Sequence, residues 1–257
     1  EQIMQDDLKA QHRSIIDRCV QAVYRPYIAS GYKGNAPTLT DLQAEIKKQP
    51  EPEAQELALA AELFISGSLS IFAQKTNVDQ NNRLTSYNIL DLGEQLLPMG
   101  MLVILESIYN RVIQNWRSGR RTWVFVDEFS IFFRYPFATN FFLRMWKQVR
   151  KRAGYMTGIT QNVGEMLTSK DACWMLANSE FLIMLSQSAS DRAALAELLN
   201  ISDTQLSYVE NADPGCGLMK FGGAFIPFVN SFPEDTELYK LMTTKPADRE
   251  QVKPNGV

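Results

Sequence analysis

The sequence has one histidine, three cysteines and no excess of positive charge, and each shortage removes a class of chemistry. With His12 alone, multi-histidine metal sites are impossible, and a Ser-His-Asp triad would have to recruit a residue inside an amphipathic helical run. His12 reads instead as an exposed or internally satisfied helix residue. Cys19, Cys173 and Cys216 lie far apart without CxxC spacing, which argues against a thiolate zinc site and for reduced thiols in a cytosolic setting. Twenty-six basic residues against 29 acidic ones leave a net charge of −3, so no global positive field gathers nucleic acid or anionic lipid. No apolar run approaches the roughly 20 residues that span a bilayer, and the longest is Met101–Leu105. The opening EQIMQDD lacks the basic and apolar regions of a signal peptide, and the missing initiator Met leads to the expectation of a piece cut from a longer chain.

What is present describes an ordinary globular protein: 257 residues, 45% hydrophobic and 21% charged. The first 66 residues read as helices only. Ile3, Leu8, Ile15, Ile16, Cys19 and Val23 recur at helical spacing until Pro26–Gly34 ends the run. Thr40 with Gln43 matches a capping box opening a second helix, and Glu53–Ile65 reads as a third. From about residue 68 the pattern alternates. Strands are predicted at Leu69–Phe72, Thr85–Leu90, Thr122–Val126, Tyr155–Thr160, Phe181–Leu185, Cys216–Phe221 and Ala224–Val229. Helices are predicted at Pro98–Arg117, with the proline in the first turn, and at Ala138–Arg152, Ala172–Ala177, Ser190–Leu199 and Asp203–Val209, with Ser202 and Gln205 as a second capping box. Runs as apolar as WVFV and FLIML imply strands buried on both faces, hence an α/β chain with a mainly parallel sheet, closed at one edge by a hairpin through Gly222-Gly223. The expected organisation is a helical subdomain over 1–66, a sheet core over 67–243 and a polar tail over 244–257.

The sharpest chemical signal is Thr122-Trp-Val-Phe-Val-Asp127-Glu128: an apolar strand delivering adjacent carboxylates at its C-terminal end, where open α/β sheets bind ligands. Nucleoside triphosphatases use this arrangement, one carboxylate for magnesium and the next to polarise the attacking water. Adjacent strand residues face opposite ways, so both serve one site only if the backbone turns there. The competing reading is an Asp-Glu pair that merely ends a strand. No GxxxxGK[ST] phosphate cradle occurs, so either there is no nucleotide chemistry or the cradle lies upstream. The next strand ends in Thr160, Gln161 and Asn162 at the same sheet edge, where a neutral amide can touch a γ-phosphate and the catalytic water; helix capping is the alternative. Arg144, Lys147, Arg150, Lys151 and Arg152 place five cations at the end of one helix, opposite Phe142, Met145, Trp146 and Val149. They make a solvated face, or Arg150 or Arg152 reaches a neighbouring subunit's nucleotide. The aromatic run from Phe129 to Phe142 fits core packing better than base stacking.

Taken together, WVFVDEF, a helix ending in RKRAG, GITQN, the upstream TNVD stretch with its long helix, and the GCGLMKFGG hairpin resemble the VirB/TrbE/CagE-type ATPases of type IV secretion and conjugation. The resemblance covers roughly residues 1–243 and implies a RecA-like P-loop fold, here incomplete, with ATP and magnesium as cofactors. It implies catalytic roles for Glu128, Gln161, Arg150 and Arg152, nucleotide contacts from Asp127, Thr160 and Lys151, and magnesium held through water by Asp127. It further implies a homo-oligomer, typically a hexamer, working with other secretion components at the cytoplasmic face of the cell membrane; DNA is a partner the net charge does not indicate. A HerA/FtsK-type or coupling-protein DNA translocase, or a non-catalytic scaffold of the same fold, are the alternatives.

Overall fold

The computed structural model describes residues 8–75, 82–161, 163–230 and 232–243. The chain divides into two compact units, one ending at Tyr109 and the other starting at Asn110.

In the first unit, helices α1 (Ala10–Ala29), α2 (Leu39–Ile46) and α3 (Pro52–Ile65) bury Ile15, Cys19, Ile46, Ala54, Leu57 and Ala58 in one aliphatic core. α1 runs through Pro26, where the sequence predicts its end: in a last turn a proline removes only one helical hydrogen bond, and the Pro26 carbonyl still accepts from Ser30 N–H. Ile3, counted into that helix, lies outside the described residues. His12, 1% exposed, is satisfied at both nitrogens: Lys9 N–H donates to Nδ1 at 3.1 Å and Nε2 lies 3.2 Å from Glu56 Oε2. The predicted Thr40/Gln43 cap is replaced by one two residues earlier. Thr38 N–H and its hydroxyl both donate to Asp41 Oδ2, at 2.7 and 2.9 Å, which holds the Asp41 carboxyl below its usual range. Gln43 is instead buried, donating to the Ala58 carbonyl at 2.8 Å.

Two predicted strands do not form. Leu69–Phe72 is part of a 3₁₀ turn (Ser70–Ala73) whose neighbourhood packs Leu69 and Phe72 with Phe64, Leu96 and Met99, and Thr85–Leu90 is irregular until a short turn at Leu90–Leu92. Apolar, β-prone residues become a strand only when a neighbouring strand takes up their backbone groups, and neither run has one among the described residues. Helix α4 (Gly93–Arg117) begins five residues before Pro98, which therefore sits inside it and not in the first turn. At 25 residues it is long and apolar enough to cross a membrane by length and composition, although it carries Glu106 and Arg111; the expectation that no segment approaches that length is corrected.

In the second unit, β1 (Thr122–Val126) and β2 (Gly154–Gly158) form a parallel ribbon, Thr122 opposite Gly154 and Val126 opposite Gly158, joined through α5 (Pro136–Gln148). The short helices α6 (Val163–Leu167) and α7 (Lys170–Ala177) follow. A separate three-stranded sheet has the order β3 (Phe181–Met184), β4 (Cys216–Phe221), β5 (Ala224–Val229), with both pairings antiparallel. The fold is thus α/β with the hairpin as expected, but β3 joins that hairpin rather than a mainly parallel sheet. Helix α8 (Ala189–Leu199) and the capped turn α9 (Asp203–Leu206) lie between β3 and β4, and the Ser202/Gln205 box opens α9 as predicted. Leu195, Leu199, Ile201 and Val209 pack with Met184 and Leu218.

The strands are not buried on both faces. Val124 and Val126 point into the core, whereas Trp123 is 55% and Phe125 67% exposed. Beneath the buried face, Phe129, Phe132, Phe141, Phe142, Met145 and Val149 form an aromatic-rich core, with Phe142 in edge contact with Phe129, Phe132 and Phe141. The aromatic run is therefore packing. α5 ends at Gln148, and a 3₁₀ turn, Val149–Arg152, replaces the predicted continuation; Ala153 adopts the left-handed backbone expected of a helix-terminating glycine, while Gly154 opens β2.

Candidate functional site

The site is built where β1 runs out. The ladder continues one step past the strands, with Ile159 N–H donating to the Val126 carbonyl at 2.8 Å. Three residues on, Phe129 N–H donates back to the Ile159 carbonyl, also at 2.8 Å. One residue of the neighbouring strand thus clamps both sides of Asp127-Glu128, and the two acids must loop out between the clamps. They do so because Glu128 enters the left-handed region, φ 48° and ψ 47°. That conformation costs a non-glycine residue on the order of 1 kcal/mol. It supplies the turn without which adjacent carboxylates would face opposite ways.

The turn is held from within and from across the ribbon. Asp127 Oδ1 accepts from Glu128 N–H at 3.0 Å, and Gln161 Nε2 donates to Glu128 Oε1 at 2.9 Å. Gln161 lies at the matching end of β2, so two adjacent parallel strands deliver an acid pair and an amide to one rim. Asp127 and Gln161 are exposed and Glu128 is half-buried. Thr160 is half-buried at the same rim, and Asn162 lies outside the described residues. Chemically, this rim offers hard oxygen donors, a carboxylate able to take a proton from water, and an amide that still has a second N–H to donate.

The basic residues do not join it. Arg150, Lys151 and Arg152 precede β2, and Thr122 N–H bonds Ala153 O at 3.1 Å, which places them at the start of the ribbon beside Arg120 and Arg121. Five strand residues at about 3.3 Å each separate the two ends, roughly 16 Å. Arg152 Nη1 lies 3.4 Å from Gln148 Oε1. On α5, Arg144 lies over the Phe141 ring at 5.8 Å and Lys147 over the Trp174 ring at 4.7 Å, while Phe142, Met145 and Val149 face the core as read from the sequence.

Two features escape the sequence reading. Arg134, on the 3₁₀ turn after the acids, pairs with Glu165 on α6 at 3.0 Å, linking the segments behind Glu128 and behind Gln161. Both side chains are exposed, so the pair is worth under about 1 kcal/mol. Nothing in the spacing of two long side chains 31 residues apart announces it. Ser130, 2% exposed, has a hydroxyl without a hydrogen-bond partner among the described residues, although it follows the acidic turn by only two positions.

No protein-family model matches the sequence, and no curated protein does. Among solved structures the chain is similar to VirB4 of Thermoanaerobacter pseudethanolicus, with 22% sequence identity, a TM-score of 0.73, and coverage of 91% of this chain and 67% of that one. A second, looser likeness is to the plasmid coupling protein TrwB in complex with the non-hydrolysable GTP analogue GDPNP: 13% identity, TM-score 0.44, 91% of this chain and 68% of that one. At 22% identity the first establishes the fold. The motifs read from the sequence therefore sit on a fold similar to that of VirB4.

Proposed function

We propose that this chain carries the water-activating part of an ATP-hydrolysing motor, of the kind that energises assembly and substrate transfer in type IV secretion and conjugation. One contact supports the reading above all: the Gln161 amide on the Glu128 carboxylate, 2.9 Å across the ends of paired strands. A carboxylate in that place takes the proton of an attacking water, and the amide orients the water through its remaining N–H. Asp127 would hold magnesium. Among the described residues no group of three or more His, Cys, Asp or Glu side chains converges on a metal position. A lone exposed carboxylate fits magnesium, which keeps several waters and takes further ligands from substrate phosphates. Bound with ATP, the ion would neutralise charge on the transferring phosphoryl group.

Thr160 belongs to the nucleotide rim in this reading. Arg150, Lys151 and Arg152, at the far end of the ribbon, would serve the nucleotide of a neighbouring copy, with the guanidinium of Arg150 or Arg152 stabilising the transferring phosphoryl group. Head-to-tail contacts of this kind close into rings, and a hexamer at the cytoplasmic face of the membrane, with other secretion components, is the proposed assembly. Residues 1–66 would be its helical subdomain, 67–243 the ATPase core and 244–257 a tail. The phosphate cradle would come from polypeptide outside these 257 residues, which contain no GxxxxGK[ST].

Two measurements test this. Isothermal titration of the chain with magnesium-ATP is expected to show no binding tighter than about millimolar, since the phosphate-gripping amides and lysine are absent; a micromolar constant would overturn the placement of the cradle elsewhere. In a protein that includes the cradle, Glu128→Gln is expected to abolish turnover and keep ATP binding, and unaffected turnover would refute the role of Glu128.

A further inference from the structure

We propose that Phe129 and Gly158 are the positioning pair of the acidic turn, the ring of one seated on the bare α-carbon of the other. Phe129 is buried and held on three sides: edge contacts to Phe133 at 5.0 Å and Phe142 at 4.9 Å, and a stacked contact to Trp146 at 5.5 Å. Its fourth side lies against Gly158. A Cβ there would come within 2.5 Å of Phe129 Cδ1 and 2.9 Å of Cγ. Gly158 has no left-handed backbone to require a glycine; the space requires it.

The two residues sit at the hinge points of the site. Gly158 is followed by Ile159, whose N–H and carbonyl clamp Val126 and Phe129 on either side of Asp127-Glu128. Gln161, the partner of Glu128, is three residues from Gly158 on the same segment. A ring packed against three others cannot step aside as the end of a flexible side chain can. A methyl group at 158 therefore moves the Phe129 backbone or the Ile159 clamp, and Glu128 hangs between them. Gly154 provides the contrast at the other end of the strand: a Cβ there would collide with Val149 Cγ2, far from the acids. The catalytic consequence rests on the ATPase reading; the positioning itself does not.

The test separates the two. In this chain, Gly158→Ala is expected to speed hydrogen exchange of the Phe129 and Ile159 amides roughly 10-fold or more while the β4–β5 ladder keeps its protection. Gly154→Ala should lower the thermal midpoint without exposing those two amides. In a Phe129→Ala background, or Phe129→Leu if the alanine variant does not fold, Gly158→Ala should add little, the signature of a coupled pair. In the cradle-containing protein, Gly158→Ala is expected to cut kcat roughly 10- to 100-fold with KM for ATP within about twofold. Unchanged protection at Phe129 and Ile159, or equal loss in Gly154→Ala, overturns the pair. Lost protection with undiminished kcat upholds the pair and refutes the role of Glu128 instead.

Discussion

The two ends of the β1–β2 ribbon are made from the same two strands and share almost nothing else. At the C-terminal end the turn is held at both flanks: Ile159 bonds Val126 and Phe129, Glu128 is left-handed, and Gln161 crosses to meet it. At the N-terminal end the chain presents Arg120, Arg121, Arg150 and Lys151 as exposed cations on a 3₁₀ turn and a loop. One end fixes its geometry and the other presents exposed charge. In the proposed motor this difference would suit different tasks, because aligning a water requires fixed donors and acceptors, whereas reaching across a subunit boundary favours long side chains that settle on contact.

The sharpest way to break this comparison is to separate the ends onto different copies. In the cradle-containing protein, Glu128→Gln alone and the Arg150→Ala/Arg152→Ala pair alone should each lower turnover on the order of 10³-fold. Mixed in equal amounts they should recover roughly a quarter of normal activity, since a head-to-tail contact then sometimes joins an intact acid turn to intact arginines. No recovery would mean that the two ends do not meet across copies. A smaller loss, roughly 10- to 100-fold in kcat with KM held, is expected of Gln161→Ala, because the carboxylate stays while its orienting amide goes; a purely raised KM would contradict that role. Ser130→Ala should act in the opposite direction on stability. Removing a buried hydroxyl that lacks a partner is expected to stabilise the fold by about 1 kcal/mol, read as a raised urea midpoint. The smallest effect lies outside the ribbon. Asp41→Ala should cost the helical unit about 0.5–1 kcal/mol near neutrality. The Asp41 carboxyl is depressed by its bonds from Thr38, so its contribution is complete above about pH 4 and is lost as pH falls through the lowered value. Circular dichroism melts of wild type and variant should therefore converge in acid.

How legible all this was depends on what kind of physics decides each element. β4 and β5 begin and end where the pattern puts them, because Gly222-Gly223 fixes both the turn and the register. The direction of β3 was not legible: four apolar residues in a row state burial, not orientation, and here even the burial is one-sided, with Phe181 and Ile183 half exposed. Caps divided in the same way. Ser202/Gln205 holds, whereas of two matches of one spacing Thr38/Asp41 forms the cap and Gln43 instead donates to the Ala58 carbonyl. In the site, the need for a turn at Asp127-Glu128 follows from strand geometry alone, but its execution through a left-handed glutamate and a double clamp on Ile159 does not, since glutamate carries no preference for that backbone. The distance of Arg150–Arg152 from the acids follows from the parallel pairing that the sequence does imply: residues before each strand gather at one end and those after it at the other.

On the outward face of the ribbon, Trp123 and Tyr155 lie ring to ring, 4.9 Å between centroids and 15° from coplanar, with about half of each in solvent. An indole so placed emits at long wavelength and is open to iodide quenching. Any polypeptide that comes to lie on that face, from the same chain or another, must shift its emission to the blue and shield it from the quencher. In a protein whose other tryptophans, Trp116, Trp146 and Trp174, are replaced by phenylalanine, Trp123 would thus gauge whether that face is covered.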